Sequence, residues 1–491
     1  MSLRKLAKDT VVYGASTSIH HVLVLGLLPF KTRWLTVEDV GILEMLVIAM
    51  STLTLLGSIN LHSATIRYYY DHDAADRRRF LRTVATVLAL GSVAVVVLAI
   101  SVGQAGFDRF AGSSDHSKAL WWMLLTVPAR VLFEHCAVVM RLRGSPRGYL
   151  VGVTGRTSLM FVAALWLLIG RDWGVRSFFV AEAVTYALGA GALFWSMRSD
   201  YAGGFMIKAA KRTLRFSLPG LPAAVSHMAL LSMNRFFLAA LVGEAAVGLY
   251  SVCARLGYVV SFVGITFRLA WDPYAMSIKE NPDAAKIYAR LFRYLLFLFC
   301  LLAVSVTVFG YEVVILLGSE RYLPSVPIVG LVMLVSIFPG INEMLGLGLL
   351  LSERTYLLTV GTTVGLVANV AAAFYLIPMW GIAGAALTAL AGVGATSVAL
   401  YIAAQRSYRI PYDLGRALLA AGSIACLSVI AWQWSMFHDG STEMLLKRIA
   451  VGAVALGIAT VGLVTREDAG IAERVVAELI GRLRRDQSGA E

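Results

Sequence analysis

Charge is scarce in this sequence. Asp, Glu, Lys and Arg make up 15% of 491 residues, where a soluble domain carries about 25%. Long polar stretches are missing too. Apolar runs of about twenty residues recur from end to end, 58% of residues are hydrophobic, and the mean hydropathy is +0.74. No segment is left for a large water-soluble domain, which excludes soluble enzyme folds. Cysteine is sparse: Cys136, Cys253, Cys300 and Cys426 lie singly in apolar runs, with no CxxC pair or metal-ligand spacing. That argues against disulfides and zinc and for small core hydrophobes. No GxxxxGK[ST] stretch and no HExxH occurs, so ATP hydrolysis and zinc-peptidase chemistry have no carrier. The sequence reads as a non-enzyme without cofactor or metal.

What is present is a series of apolar runs bounded by charges. Fourteen candidate spans follow, at about 8–30, 38–62, 80–102, 119–140, 149–170, 176–196, 214–240, 246–270, 288–310, 326–350, 355–377, 381–403, 416–436 and 444–464. Each can cross about 30 Å of hydrocarbon as a helix. Arg4, Lys5 and Lys8 precede the first run without a small-residue cleavage site, so a retained first helix is expected. The net charge of +13 reports orientation before it reports nucleic acid. With the N-terminus inside, thirty of the 43 Lys and Arg fall on the cytoplasmic side and nine outside; Arg130, Arg156, Arg235 and Arg255 lie within spans. That bias predicts N-in, C-in topology. The end of the chain, with Ile471, Val475, Val476, Leu479, Ile480 and Leu483 at helical spacing among arginines, predicts an amphipathic helix on the inner leaflet.

An internal repeat emerges at an offset of 207 residues. Val40-Gly41 then meets Val247-Gly248, Leu23 meets Leu230, Phe30 meets Phe237 and His20 meets His227. The expected architecture is an all-α polytopic membrane protein of about 14 transmembrane helices, with two six-helix lobes around a central cleft plus two extra helices. Its parts are an N-lobe at 1–200 (spans 1–6), a cytoplasmic linker at 201–213, a C-lobe at 214–410 (spans 7–12), spans 13–14 at 411–465, and the cytoplasmic tail at 466–491.

Several local runs resemble a known family. They are Leu6-Ala7-Lys8-Asp9-Thr10-Val11-Val12-Tyr13-Gly14, Leu27-Leu28-Pro29-Phe30-Lys31-Thr32-Arg33-Trp34-Leu35, Ala64-Thr65-Ile66-Arg67-Tyr68-Tyr69-Tyr70-Asp71, Ser217-Leu218-Pro219-Gly220-Leu221-Pro222 and Val247-Gly248-Leu249-Tyr250-Ser251. This pattern resembles the bacterial polysaccharide (O-antigen and exopolysaccharide) flippases of the multidrug/oligosaccharidyl-lipid/polysaccharide exporter superfamily. The resemblance implies transport of a polyprenyl-diphosphate-linked oligosaccharide from the inner to the outer leaflet of the bacterial inner membrane, for lipopolysaccharide or exopolysaccharide synthesis. Where family members often carry Asp-Arg in the seventh helix, this chain has Asn234-Arg235, which removes a carboxylate switch at that site.

Ionisable residues within spans usually face a cavity or a partner. Arg235 and Arg255 flank a turn near Gly243, and their guanidinium forks suit phosphate oxygens. They are candidates for a diphosphate clamp, with Arg33 at the outer end of the first helix; snorkelling or carbonyl pairing is the structural alternative. His20 and His227 occupy the repeat position, and histidine changes charge near neutral pH, so both are candidates for ion coupling against a packing role. Glu182 and Glu343 have no obvious cation in the local sequence and join them as candidates. Arg130 and Glu134, four apart, read as a structural pair, and Arg156 reads as snorkelling to the cytoplasmic surface. Asp71-His72-Asp73 resembles a glycosyltransferase DxD, but beside Asp76-Arg77-Arg78-Arg79 it reads as a solvated charge cluster.

The expected activity is flipping by ion-coupled alternating access, driven by protons or sodium ions, with membrane lipid and other polysaccharide-assembly proteins as partners and no nucleic acid. The alternatives are a drug/cation antiporter of the same superfamily, a membrane glycosyltransferase or polymerase, and a noncatalytic assembly scaffold. The first usually needs only twelve spans and an acidic cavity, and the second a sizeable extramembrane loop.

Overall fold

The computed structural model describes residues 18–110, 114–434 and 441–463. Every regular element among them is helical. The described chain starts in α1 (18–26) and runs through α2 (Leu28–Trp34), α3 (Val37–Ser58), α4 (Leu61–Tyr68), α5 (Ala74–Phe110), α6 (Ser114–Leu142), α7 (Pro146–Leu165) and α8 (Arg176–Ser196). It continues through α9 (Ile207–Ser217), α10 (Leu221–Leu241), α11 (Glu244–Ser277), α12 (Ala284–Val308), α13 (Gly310–Leu317) and α14 (Val329–Leu351). The last three helices are α15 (Tyr356–Ser407), α16 (Leu414–Gln433) and α17 (Thr442–Leu463). The expected basic start, Arg4, Lys5 and Lys8, and the expected amphipathic tail lie outside the described residues.

Among the described residues, eleven helices are long and apolar enough to cross a membrane by length and composition. The sequence reading of fourteen differs for identifiable reasons. The expected span at 8–30 lies partly outside the described residues. The expected span at 246–270 falls within α11, which is not one of the eleven. The expected spans at 355–377 and 381–403 both fall within α15, whose helix breaks at Gly381 (φ 51°, ψ −121°). Here the chain reverses: Asn369 donates to the Thr388 carbonyl at 3.3 Å, and a Cβ on Gly392 would press on Asn369. Gly381 adopts the left-handed φ that a Cβ would disfavour. One continuous apolar run is thereby folded into an antiparallel helical hairpin.

The described chain divides into two compact units. The first contains the chain up to Arg255 together with Val313–Ser325 and Tyr356–Ala399; the second contains Leu256–Glu312, Val326–Thr355 and the chain from Leu400 onward. In the first unit α6 packs along α8 and α3, α7 along α8, and α5 along α3 and α6. A capping box formed by Thr36 and Asp39 starts α3, and Val40 to Leu46 are then buried all round the helix, as an inner helix requires. By contrast, α5 exposes Leu90, Val93, Val97 and Leu98, an apolar face that suits acyl chains. In the second unit α12 and α14 pack together, and α16 and α17 pack on both each other and α12. Fully buried Arg448 of α17 holds Glu312 through two bonds of 2.6 and 3.2 Å and donates to the Val308 carbonyl at 3.3 Å.

In the first unit the two glycines that the repeat aligned support a close crossing. A Cβ on Gly41 would strike the Glu244 carbonyl, and a Cβ on Gly248 would strike the Val37 carbonyl. Adding 207 to Val37 and Gly41 gives Glu244 and Gly248, so the contact exchanges with itself under the repeat. Only a bare Cα permits backbones to approach so closely. Gly41→Ala and Gly248→Ala should each destabilise the protein by roughly 1–3 kcal/mol through overpacking. Gly191→Ala on α8, whose Cβ would meet nothing within 4 Å, should be neutral or slightly stabilising. Thermal unfolding in detergent, read by loss of the monodisperse peak, distinguishes the three.

Candidate functional site

The glycine crossing determines where charge is buried in the first unit. Glu44 lies three residues after Gly41 and Arg255 seven after Gly248, spacings that return each side chain to the face of its glycine. Both are buried, and the Arg255 guanidinium donates to the Glu44 carboxylate. Lys31 of α2 is also buried. Its ammonium lies 4.8 Å from the centre of the Phe178 ring, within electrostatic range of Arg255, Glu44 and Glu182. Two cations, Lys31 and Arg255, are thus buried with the Glu44 carboxylate in one low-dielectric region, with half-buried Glu182 also within range of Lys31.

Arg235 flanks this region on α10. Its guanidinium stands 5.5 Å from the Tyr250 ring centre and donates to the Leu231 carbonyl at 3.2 Å. Its buried Nε has no hydrogen-bond partner among the described residues. The neighbouring Asn234, where the family often has an acid, is buried and donates to the Tyr250 hydroxyl at 2.9 Å and the Ala385 carbonyl at 3.4 Å. An amide here ties α10 to α11 and α15 without adding charge.

A second basic group lies among α1, α6, α7 and α8. Arg130 and Glu134 pair at 2.9 Å, as their spacing predicted. Arg156 is buried rather than snorkelling: its guanidinium stacks 4.0 Å from the Tyr186 ring centre and 5.5 Å from that of Phe133. The aromatic faces offset the cost of burial that depth alone would impose. Arg156 donates to the Thr157 hydroxyl at 3.2 Å, and His20 Nδ1 lies 3.2 Å from the same hydroxyl. Nε and Nη1 of Arg156 and Oε2 of Glu182 are buried without hydrogen-bond partners among the described residues. The two unsatisfied Arg156 donors are costly in the interior and would welcome an anion, whereas the Glu182 oxygen is an unmatched acceptor.

The remaining sequence candidates lie elsewhere. Arg33 is exposed and donates to the Leu316 carbonyl at 3.3 Å. His227 is exposed on α10. Glu343, in the second unit, does have a cation: Arg268 holds it through contacts of 3.2 Å. Sequence reasoning missed Glu44, Lys31 and Tyr186. Glu44 is visible as an acid well inside an apolar span, but its partner is 211 residues away; Lys31 stands at the charged end of an apolar run, where the sequence does not distinguish a buried ammonium from a solvated one. No group of three or more metal-ligating side chains occurs among the described residues. Asp71 pairs with Arg212 at 3.2 Å and Arg67 at 3.8 Å, while Asp73 accepts from the Asp76 backbone at 2.8 Å, so the DxD-like run is a neutralised cluster that caps α5. Three of the cysteines are buried, whereas Cys426 is exposed on α16.

Removing one member of a buried ion pair strands the other. Arg255→Gln should therefore cost about 3 kcal/mol of stability by leaving Glu44 uncompensated. Adding Glu44→Gln should restore most of it, because two amides replace the pair. The difference between the single and double variants in thermal unfolding measures the coupling.

Among solved structures sharing the fold, that of the lipid II flippase MurJ in an inward closed conformation superposes with a TM-score of 0.71. It covers 92% of this chain and 98% of that chain at 15% identity. A MOP-superfamily transporter from Pyrococcus furiosus gives 0.58 at 12% identity, covering 81% and 95% respectively. An inward-facing multidrug resistance MATE family transporter of the same superfamily gives 0.57 at 14% identity, covering 83% and 94%. At such identities the likeness is one of fold. No curated protein sequence matches the chain. The family model described as polysaccharide biosynthesis protein matches residues 31–327. This multi-pass membrane protein, with the fold of the MOP-superfamily transporters, belongs to the polysaccharide biosynthesis protein family.

Proposed function

We propose that this protein flips a polyprenyl-diphosphate-linked oligosaccharide from the cytoplasmic to the outer leaflet of the bacterial inner membrane, by ion-coupled alternating access. The observation that carries the reading is the excess of basic side chains buried or half-buried among the helices: Lys31, Arg130, Arg156, Arg235 and Arg255 against Glu44, Glu134 and Glu182. Such an excess favours an anionic headgroup over a cationic drug, and the family membership supports a glycan cargo. The fold shared with a lipid II flippase supports a lipid-linked one. We further propose N-in, C-in topology, with two six-helix lobes and two additional spans; the self-exchanging contact of Gly41 and Gly248 supports a duplicated architecture.

In this reading Arg255, Arg235 and Arg33 receive the diphosphate, and Lys31 adds the charge that the Glu44–Arg255 pair leaves over. Guanidinium forks bind phosphate oxygens through paired donors, and the ammonium adds a compact charge beside them. His20 and Glu182, which lie in the Arg130–Arg156 group, together with His227 and Glu343, are the coupling candidates. Protons or sodium ions supply the energy, and other polysaccharide-assembly proteins supply and remove the cargo.

Mass spectrometry of lipids retained after purification in mild detergent tests this from cells that make the glycan. The native chain should retain a polyprenyl-diphosphate oligosaccharide, and Lys31→Gln/Arg235→Gln should lose at least about tenfold of it, one charge-assisted contact each. Neither substitution strands an acid of the Glu44–Arg255 pair, so the folded yield should stay unchanged. Equal retention by both proteins would remove the site assignment, and absence of such lipid from the native protein would overturn the function.

A further inference from the structure

A pocket of about 400 Å³ lies away from the buried basic groups, in the first unit where the ends of α5 and α6 meet the turn after α4. Its walls include Tyr70, Arg77, Arg78, Arg143 and Asp200, with Leu81 at its apolar side. The volume falls in the range of small-ligand sites. The charges are unequally committed. Arg143 is neutralised by Asp200 at 2.9 Å. Arg77 is positioned but not neutralised: it donates to the carbonyls of Tyr69 at 3.1 Å and His72 at 3.0 Å and stacks 4.8 Å from the Tyr69 ring centre. Arg78 is exposed and makes no ion pair among the described residues. Tyr70, also exposed, is fixed by donation to the Leu142 carbonyl at 2.9 Å.

The pocket thus offers two uncompensated guanidiniums beside an anchored phenol ring. The helix carrying Arg77 and Arg78 continues from buried Leu81 to exposed Leu90, Val93 and Val97. Leu90 lies about 18 Å beyond Arg78 along the axis, so a charged head in the pocket would have an apolar face beneath it for its tail. A soluble phosphate compound has no use for that face, whereas a phospholipid matches both parts. Basic pockets at the ends of membrane helices hold anionic headgroups in this way. We propose that this pocket is a binding site for the phosphate headgroup of an anionic phospholipid, with its acyl chains lying along α5.

Native mass spectrometry of the full chain in nonionic detergent, titrated with dioleoylphosphatidylglycerol, tests the assignment. Arg78→Gln should weaken the first phosphatidylglycerol adduct about fivefold, the worth of one basic side chain at a membrane surface. Arg82→Gln, an exposed arginine one turn on that does not line the pocket, should leave it unchanged, and dioleoylphosphatidylcholine should bind neither protein tightly. Because Arg78 is exposed and holds no partner in an ion pair, folding of the variant is not at stake. Equal weakening by both substitutions, or by neither, would overturn the site. Displacement of the lipid by millimolar ATP or inorganic phosphate would overturn the lipid as its occupant.

Discussion

A charge placed among membrane helices has no water to return to, and the organisation of this protein depends on how each one is answered. Arg448 is answered by a bidentate carboxylate and a carbonyl that engage both terminal nitrogens of a fully buried guanidinium. Such a group holds helices together and offers little to a ligand. Arg130 is answered by its neighbour on the same helix. Around Glu44 the balance differs: one carboxylate serves Arg255 while Lys31 lies near both. The free energy of burying that additional cation is best recovered when an anion arrives, which turns an electrostatic imbalance into affinity.

The backbone makes this arrangement available. A salt bridge between α3 and α11 needs the two helices close enough for side chains of ordinary length to meet in fixed geometry. Gly41 and Gly248 permit that approach by omitting Cβ atoms at the crossing, and helical spacing then returns Glu44 and Arg255 to the same seam. Close backbone approach through small residues is a general device of helices in lipid, where apolar surface provides no preference for helix over solvent. Here the device serves packing and electrostatics together. The same residues that bring the helices together determine which charges face each other.

Much of this was legible in the sequence, and the parts that were not share a cause. Apolar runs locate helices because their signal is local, and the Arg130–Glu134 pair follows from spacing alone. The 207-residue offset found a true contact because the repeat aligned residues that touch. Glu44 was overlooked because its partner lies 211 residues away, and no periodicity links the two. Glu343 lacked a cation nearby in sequence yet has Arg268 in space. Arg156 was assigned to the surface from its depth along one helix, whereas Tyr186 and Phe133 on other helices supply the faces that keep it inside. Local chemistry is readable residue by residue; compensation of charge belongs to the packing.

The Arg156 arrangement also shows why stacking and ion pairing are not equivalent ways to bury an arginine. An acid that grips a guanidinium occupies part of its edge, where the N–H donors point, and leaves fewer of them for a ligand. An aromatic ring occupies the face instead and stabilises the charge without using the donors. On Tyr186 the guanidinium spends one terminal nitrogen on Thr157 and keeps Nε and Nη1 unclaimed among the described residues. Both nitrogens still carry N–H donors in the guanidinium plane, on edges that the ring leaves open to the oxygens of a phosphate or carboxylate. Burial supported by rings therefore leaves more of the donor edge for recognition, while burial supported by acids, as at Arg448, commits more of it to the fold.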